Sequence, residues 1–127
     1  AAAGTGTHKR SLFETIQEYV EFHRPLVGTI LMQSTFDEKV RSLNRLHKAM
    51  GNMKLCRLKR PHIAEYKQKR YSGGARASTV NLDIAYICHF MNWCRDRDYY
   101  IGNNPAERMK DVNDNRRVIQ LSREQTD

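Results

Sequence analysis

Apolar side chains recur along most of this chain every three or four residues, the interval that gathers them on one face of an α-helix. The alternation of a half-buried strand stands out nowhere. The longest run is Arg76 to Arg97, RASTVNLDIAYICHFMNWCRDR. Within it Val80, Ile84, Ile87, Cys88, Met91 and Cys94 make one continuous stripe, while Leu82, Phe90 and Trp93 are apolar and fall off it. A helix apolar most of the way round must be covered on several sides, so this segment is predicted to be the central helix of a small bundle. About 19 helical residues would span roughly 28 Å, the width of a small domain. Ser78 is placed to cap its start.

The other elements follow from the same period and from punctuation. Ser11-Leu-Phe-Glu14 is a capping box opening a first helix, with Leu12, Ile16, Tyr19, Val20 and His23 facing inward and Pro25 at its end. A second helix is predicted from Ser34, with Phe36, Val40, Leu43, Leu46 or His47, and Met50 as its stripe and Gly51 as its stop. Lys54 to Arg60, KLCRLKR, turns Leu55 and Leu58 inward and leaves its cations in water. Pro61 suits the first turn of a third helix that buries Ile63 and Tyr66, keeps Lys67, Lys69 and Arg70 outside, and ends at Gly73-Gly74. Asn104, Pro105 and Glu107 have the spacing of another capped start, predicting a short fifth helix to about Lys110 or Val112. Residues 1–10 are expected to be a flexible lead-in, 11–112 the folded domain, and 113–127 a polar linker with a new element beginning at Ser122. The class is all-α, a compact bundle of four to five helices.

Length and cysteine usage change this picture little. A chain of 127 residues forms one domain able to bury a core. Three cysteines, two of them on the apolar helix, do not make a disulfide framework, which favours a reducing, intracellular and hence cytoplasmic setting. No apolar run reaches the roughly 18 residues of a membrane span, and the first ten residues lack a signal-peptide core. The chain is expected to be soluble, with no membrane partner and no small-molecule substrate.

Charge changes it more. The net charge is +8, and its distribution is uneven. Residues 39–76 hold twelve Lys or Arg against Glu65 alone, whereas 1–38 and 77–127 each carry a small acidic excess. A cationic surface so concentrated points to a polyanion, and solubility alone accounts poorly for the asymmetry. Arg41, Arg45 and Lys48 share one face of the second helix, where like charges repel by a few tenths of a kcal/mol per pair unless an external anion offsets them. A merely solvated face is the plainer explanation of such a stripe. Lys54, Arg57 and Lys59 are added as phosphate contacts from charge. Ahead of the central helix, Gly73 to Thr79 sets a flexible turn, a cation and two hydroxyls at a helix N-terminus, a natural phosphate site.

Other chemistry is weaker. Cys88 and Cys94 lie six apart with Cys56 remote, which is not the close pairing of structural zinc, so no metal or other cofactor is expected. His23, His47 and His62 sit on different elements with no nucleophile at a fixed offset. Trp93 could stack on a base but is placed in the core, and Tyr71, Tyr99 and Tyr100 are expected to pack with their hydroxyls left wet.

The order of parts, with GGARASTVN opening the long helix, NPAERM closing it and a charged segment ending in RRVIQLSREQ, resembles the core-binding, SAM-like domain of tyrosine recombinases, the phage integrase family. The resemblance covers roughly Lys9 to Val112 and implies a domain that clamps one face of double-stranded DNA, other recombinase protomers being its partners in the full-length protein. It further implies that the second and fourth helices face the major groove, which brings Thr35, Arg41, Ser42 and Arg45 near DNA together with Arg76, Ser78, Thr79 and Asn81. Asn81 and Thr79 are the candidates for base readout; arginine and lysine contacts position without reading sequence. The family's tyrosine nucleophile and its partners come from a catalytic domain beyond Asp127, so this fragment is expected to bind without cutting. A helix-turn-helix regulator and a helical adaptor for an acidic protein are the competing readings.

Overall fold

A computed structural model of the protein describes residues 10–111; residues 1–9 of the lead-in and the expected linker, with the element at Ser122, lie outside the described residues. Four α-helices follow in order: α1 (Leu12–His23), α2 (Gln33–Met50), α3 (Arg60–Ser72) and α4 (Ala77–Asp96). Single 3-10 turns, Arg24–Leu26 and Leu55–Arg57, sit in the connections after α1 and α2. The fold is all-α, and among the described residues the extended pairings are two isolated bridges, Ser11 with Lys54 and Val27 with Leu31.

Local signals set several of these boundaries. The Ser11 hydroxyl accepts the Glu14 N–H at 3.1 Å while the Glu14 carboxylate accepts the Ser11 N–H at 3.2 Å, a closed capping box. Gly51 ends α2 at φ 78° and Gly74 closes α3 at φ 95°, left-handed conformations that glycine adopts without steric cost. Pro61 lies in the first turn of α3. The helix expected from Ser34 begins one residue earlier, at Gln33, and the expected cap at Ser78 does not form, because Met32 and Arg76 hold the cap positions with no side-chain cap.

The fifth helix is also absent; Pro105 to Arg108 is a run of turns. Asn104 is buried, and its Nδ2 donates to the Cys88 carbonyl at 2.9 Å and to Asn92 Oδ1 at 3.0 Å on α4. Its Oδ1 accepts the Ala106 N–H at 2.9 Å, and Arg108 at φ 61° turns the chain out of helical conformation.

α4 is the central element and packs against the other three helices. Val80, Ile84, Ile87, Met91 and Cys94 are buried as the stripe requires, and so is Phe90 from beside it, whereas Leu82 is exposed. Leu12, Ile16 and Tyr19 of α1, Leu43 and Leu46 of α2, and Ile63 and Tyr66 of α3 close over it, with Leu55 and Leu58 from the connection. Tyr19 sets edge-on against Phe90 and Trp93, each at 5.3 Å, and its hydroxyl lies 2.7 Å from His89 Nδ1. Each ring pair contributes on the order of 1 kcal/mol beyond area burial.

His23 donates from Nδ1 to the Tyr19 carbonyl at 2.8 Å, and its ring lies 5.9 Å from that of His89. Burial holds both imidazoles below their ordinary pKa of 6.5, with the positive charge of Lys39 adding to the effect. The folded protein therefore keeps both rings neutral where the unfolded chain takes up protons. Stability from this pair is complete above about pH 6.5 and is lost as pH falls through the lowered folded-state values. Urea midpoints should fall between pH 7 and pH 5, and the double variant His23→Gln with His89→Gln should flatten that step.

Candidate nucleic-acid interface

The middle third of the chain supplies α2, α3 and the turn into α4, and its cations are sorted by what the helices bury. On α2, Arg41 and Lys48 are exposed and seven residues apart, so they stand on one face two turns from each other. Arg45 lies slightly round from that face. Its Nη2 donates to Asp83 Oδ1 at 3.0 Å, and reaches Ser42 Oγ at 3.3 Å.

Asp83, on the buried face of α4, is only 2% exposed. Ser42 Oγ donates to its Oδ1 at 2.7 Å, while Arg70 Nε at 2.8 Å and the Tyr66 hydroxyl at 3.1 Å donate to Oδ2. Burial by itself would raise this carboxyl's pKa; the bonds from Ser42, Arg70 and Arg45 outweigh burial and hold it below the usual carboxylate range. The same burial, with the Asp83 charge, pushes the Tyr66 phenol up to about 12.

Two expected DNA contacts are thereby placed elsewhere. Ser42 is buried in this cluster. Asn81 is half-buried and both ends of its amide are used: Nδ2 donates to the Asp111 carbonyl and Oδ1 accepts the Asp111 N–H, each at 2.7 Å. Lys67, expected outside, also turns to this segment, donating to the Met109 carbonyl at 2.6 Å and to Asp111 Oδ1 at 2.7 Å, with the Tyr71 hydroxyl on Asp111 Oδ2. Thr35, half-buried, shares the face of α2 that carries Ser42.

At the head of α4, Arg76, Ser78 and Thr79 are exposed. The first amide of that helix to bond back is Val80, to Arg76 O at 3.0 Å, which leaves the N–H groups before it directed out of the helix end. Arg76 holds the N-cap position, about 10 Å along the axis of α4 from Asp83.

Lys54, Arg57 and Lys59 are exposed but belong to a different place. Lys54 bridges to Ser11, and Lys59 lies 5.3 Å over the Tyr100 ring. Lys59, Arg60 and Arg108 rim a groove of about 680 Å³ beside Tyr100 and Ile101. Lys59 is separated from Arg70 by nearly the whole of α3, about 16 Å. The basic third therefore forms two patches, one at each end of α3.

Three residues of the first patch were not foreseen: Asp83, Lys69 and Arg70. Lys69 Nζ donates to Ala49 O at 2.9 Å, and with Arg45, Lys48 and Arg70 it surrounds a notch of about 240 Å³ between α2 and α3. One signal was available, since an aspartate on the buried stripe of the most apolar helix requires donors from its neighbours.

This four-helix arrangement agrees with what the sequence matches. The family of the phage integrase N-terminal domain covers residues 8–113. The chain belongs to that family. No curated protein and no solved structure matches it.

In this integrase N-terminal domain the tyrosines serve packing, and their hydroxyls are bonded rather than wet: Tyr71 to Asp111, Tyr99 to Glu18 and Tyr100 to the Leu58 carbonyl. Cys94 and Trp93 pack with the core, and burial pushes the Cys94 thiol well up. Among the described residues no three His, Cys, Asp or Glu side chains are grouped to hold a metal ion, and no helix is long and apolar enough to cross a membrane. What the integrase domain presents is a cationic surface braced from inside by one carboxylate. Asp83→Ala would strand two arginines, a tyrosine and a serine, and should cost about 3 kcal/mol in urea unfolding.

Proposed function

We propose that this domain binds double-stranded DNA as the core-binding part, residues 11–112, of a site-specific tyrosine recombinase, closing over one side of the recombination site. The observation that supports the reading is the exposure of Arg41, Lys48 and Arg76, together with the two arginines held by Asp83, in a chain that belongs to the phage integrase N-terminal domain family. Ser78 and Thr79 at the head of α4 are the further contacts to phosphate or base edge. Lys54, Arg57 and Lys59 serve a neighbouring stretch of the backbone. Ser42 and Asn81 act from inside, the first by positioning Arg45 through Asp83 and the second by fixing the segment at Asp111. Cutting and rejoining of strands belong to a separate catalytic domain of the parent recombinase, and other protomers join it on the DNA.

The helix-turn-helix alternative has a specific obstacle. Residues 73–76 do form a four-residue connection between α3 and α4. The helix that follows, however, runs 20 residues, Ala77–Asp96, through the core against three others, and is not the second of two short helices that the motif requires.

Titration with duplex DNA at several salt concentrations tests the reading. About six phosphate contacts give a log–log slope near −5, and an adaptor for an acidic protein would show no such affinity. Arg41→Glu with Arg76→Glu should weaken binding at least tenfold with an unchanged thermal midpoint. Unchanged affinity removes this face. Arg45→Glu is the wrong probe, because a second carboxylate facing Asp83 would disturb the fold itself.

A further inference from the structure

We propose that the notch between the C-terminal halves of α2 and α3 seats a single phosphate of the duplex backbone, gripped by Arg45 and Arg70 from its floor and by Lys48 and Lys69 from its rim. This rests on the reading that the domain binds DNA, and adds a defined subsite that includes two further residues, Lys69 and Arg70.

Four observations carry it. The notch holds about 240 Å³ and is lined by four cations together with Tyr66, Ala49 and Gly73. Its two guanidiniums are already oriented, because each bonds a different oxygen of the buried Asp83 carboxylate. Each also keeps donors in reserve: a guanidinium has five N–H groups. Arg70 gives only Nε to Asp83, and Arg45 gives only Nη2 to Asp83 and Ser42. Finally, the charges do not cancel within the notch. Asp83 is buried beneath the arginines, and Glu65 stands 3.8 Å from Lys69 on an exposed turn, so two positive charges remain in excess.

A planar guanidinium fork matches two oxygens of a phosphate, and prior orientation by Asp83 reduces the freedom lost on binding. The apolar wall of Tyr66 and Ala49 strengthens the attraction by displacing water. A diester within a strand suits the notch better than a free anion, because Lys48 continues on the surface of α2 into Arg41, which extends the cationic track past one phosphate.

Duplex DNA is titrated by fluorescence anisotropy over a range of salt concentrations with wild type, Lys48→Gln/Lys69→Gln and Arg70→Lys. The double variant, which leaves Asp83 untouched, should keep the wild-type thermal midpoint and lose roughly two contacts, about 1.8 units of log–log slope. Arg70→Lys should keep the slope and bind about tenfold more weakly, since an ammonium cannot span Asp83 and a phosphate as a fork does. A wild-type slope in the double variant overturns the proposal while leaving DNA binding in place. No duplex binding by wild type removes both together. A parallel arm adds inorganic phosphate alone and follows the Ala49 and Gly73 amides by NMR. Shifts there, combined with an unchanged DNA slope in the double variant, would assign the notch to free phosphate and not to a strand.

Discussion

A single carboxylate holds the cationic side of this domain together. Asp83 sits on the innermost helix and takes hydrogen bonds from Ser42 and Arg45 on α2 and from Tyr66 and Arg70 on α3. Desolvating a carboxylate costs several kcal/mol, and the attraction to two arginines that still touch solvent offsets it only because all four donors arrive together. What the cluster supplies is registry more than net stability. It specifies how α2 and α3 sit against α4, and in doing so holds two guanidiniums side by side at the surface. Structure and the DNA-binding reading thus meet in one group.

The features readable in advance were those decided within a few residues. The capping box at Ser11, the stops at Gly51 and Gly74 and the stripe from Val80 to Cys94 depend on local geometry, and all stand in the structure. Features decided by distant partners were hidden. Asp83 finds Ser42 and Arg45 about forty positions earlier in the chain, and Asn81 is claimed by the backbone of Asp111 thirty positions later. Asn104 has every local mark of a helix cap and its oxygen does accept the Ala106 N–H, yet Nδ2 ties it to Cys88 and Asn92 of α4, Arg108 turns left-handed, and no helix follows. A capping bond can form without a helix behind it when the chain turns away within the next few residues.

Charge counting met the same limit. Twelve cations between residues 39 and 76 located the basic surface, but not which of them face water. Lys67 is spent on Met109 and Asp111, Arg45 and Arg70 are shared between the interior and the surface, and Lys59 lies at the far end of α3. The number that matters to a polyanion is smaller than the formal total and divided between two patches.

The chain's one tryptophan has a practical meaning of its own. Trp93 lies 5.3 Å from Tyr19 of α1, 5.8 Å from Tyr99, and 4.5 Å beneath the Arg97 guanidinium, so its indole is enclosed by groups from both sides of the contact between the first helix and the last. Its emission is therefore an intrinsic optical gauge of whether those two helices remain docked, read at a residue outside the lining of the basic notch, and it needs no attached dye.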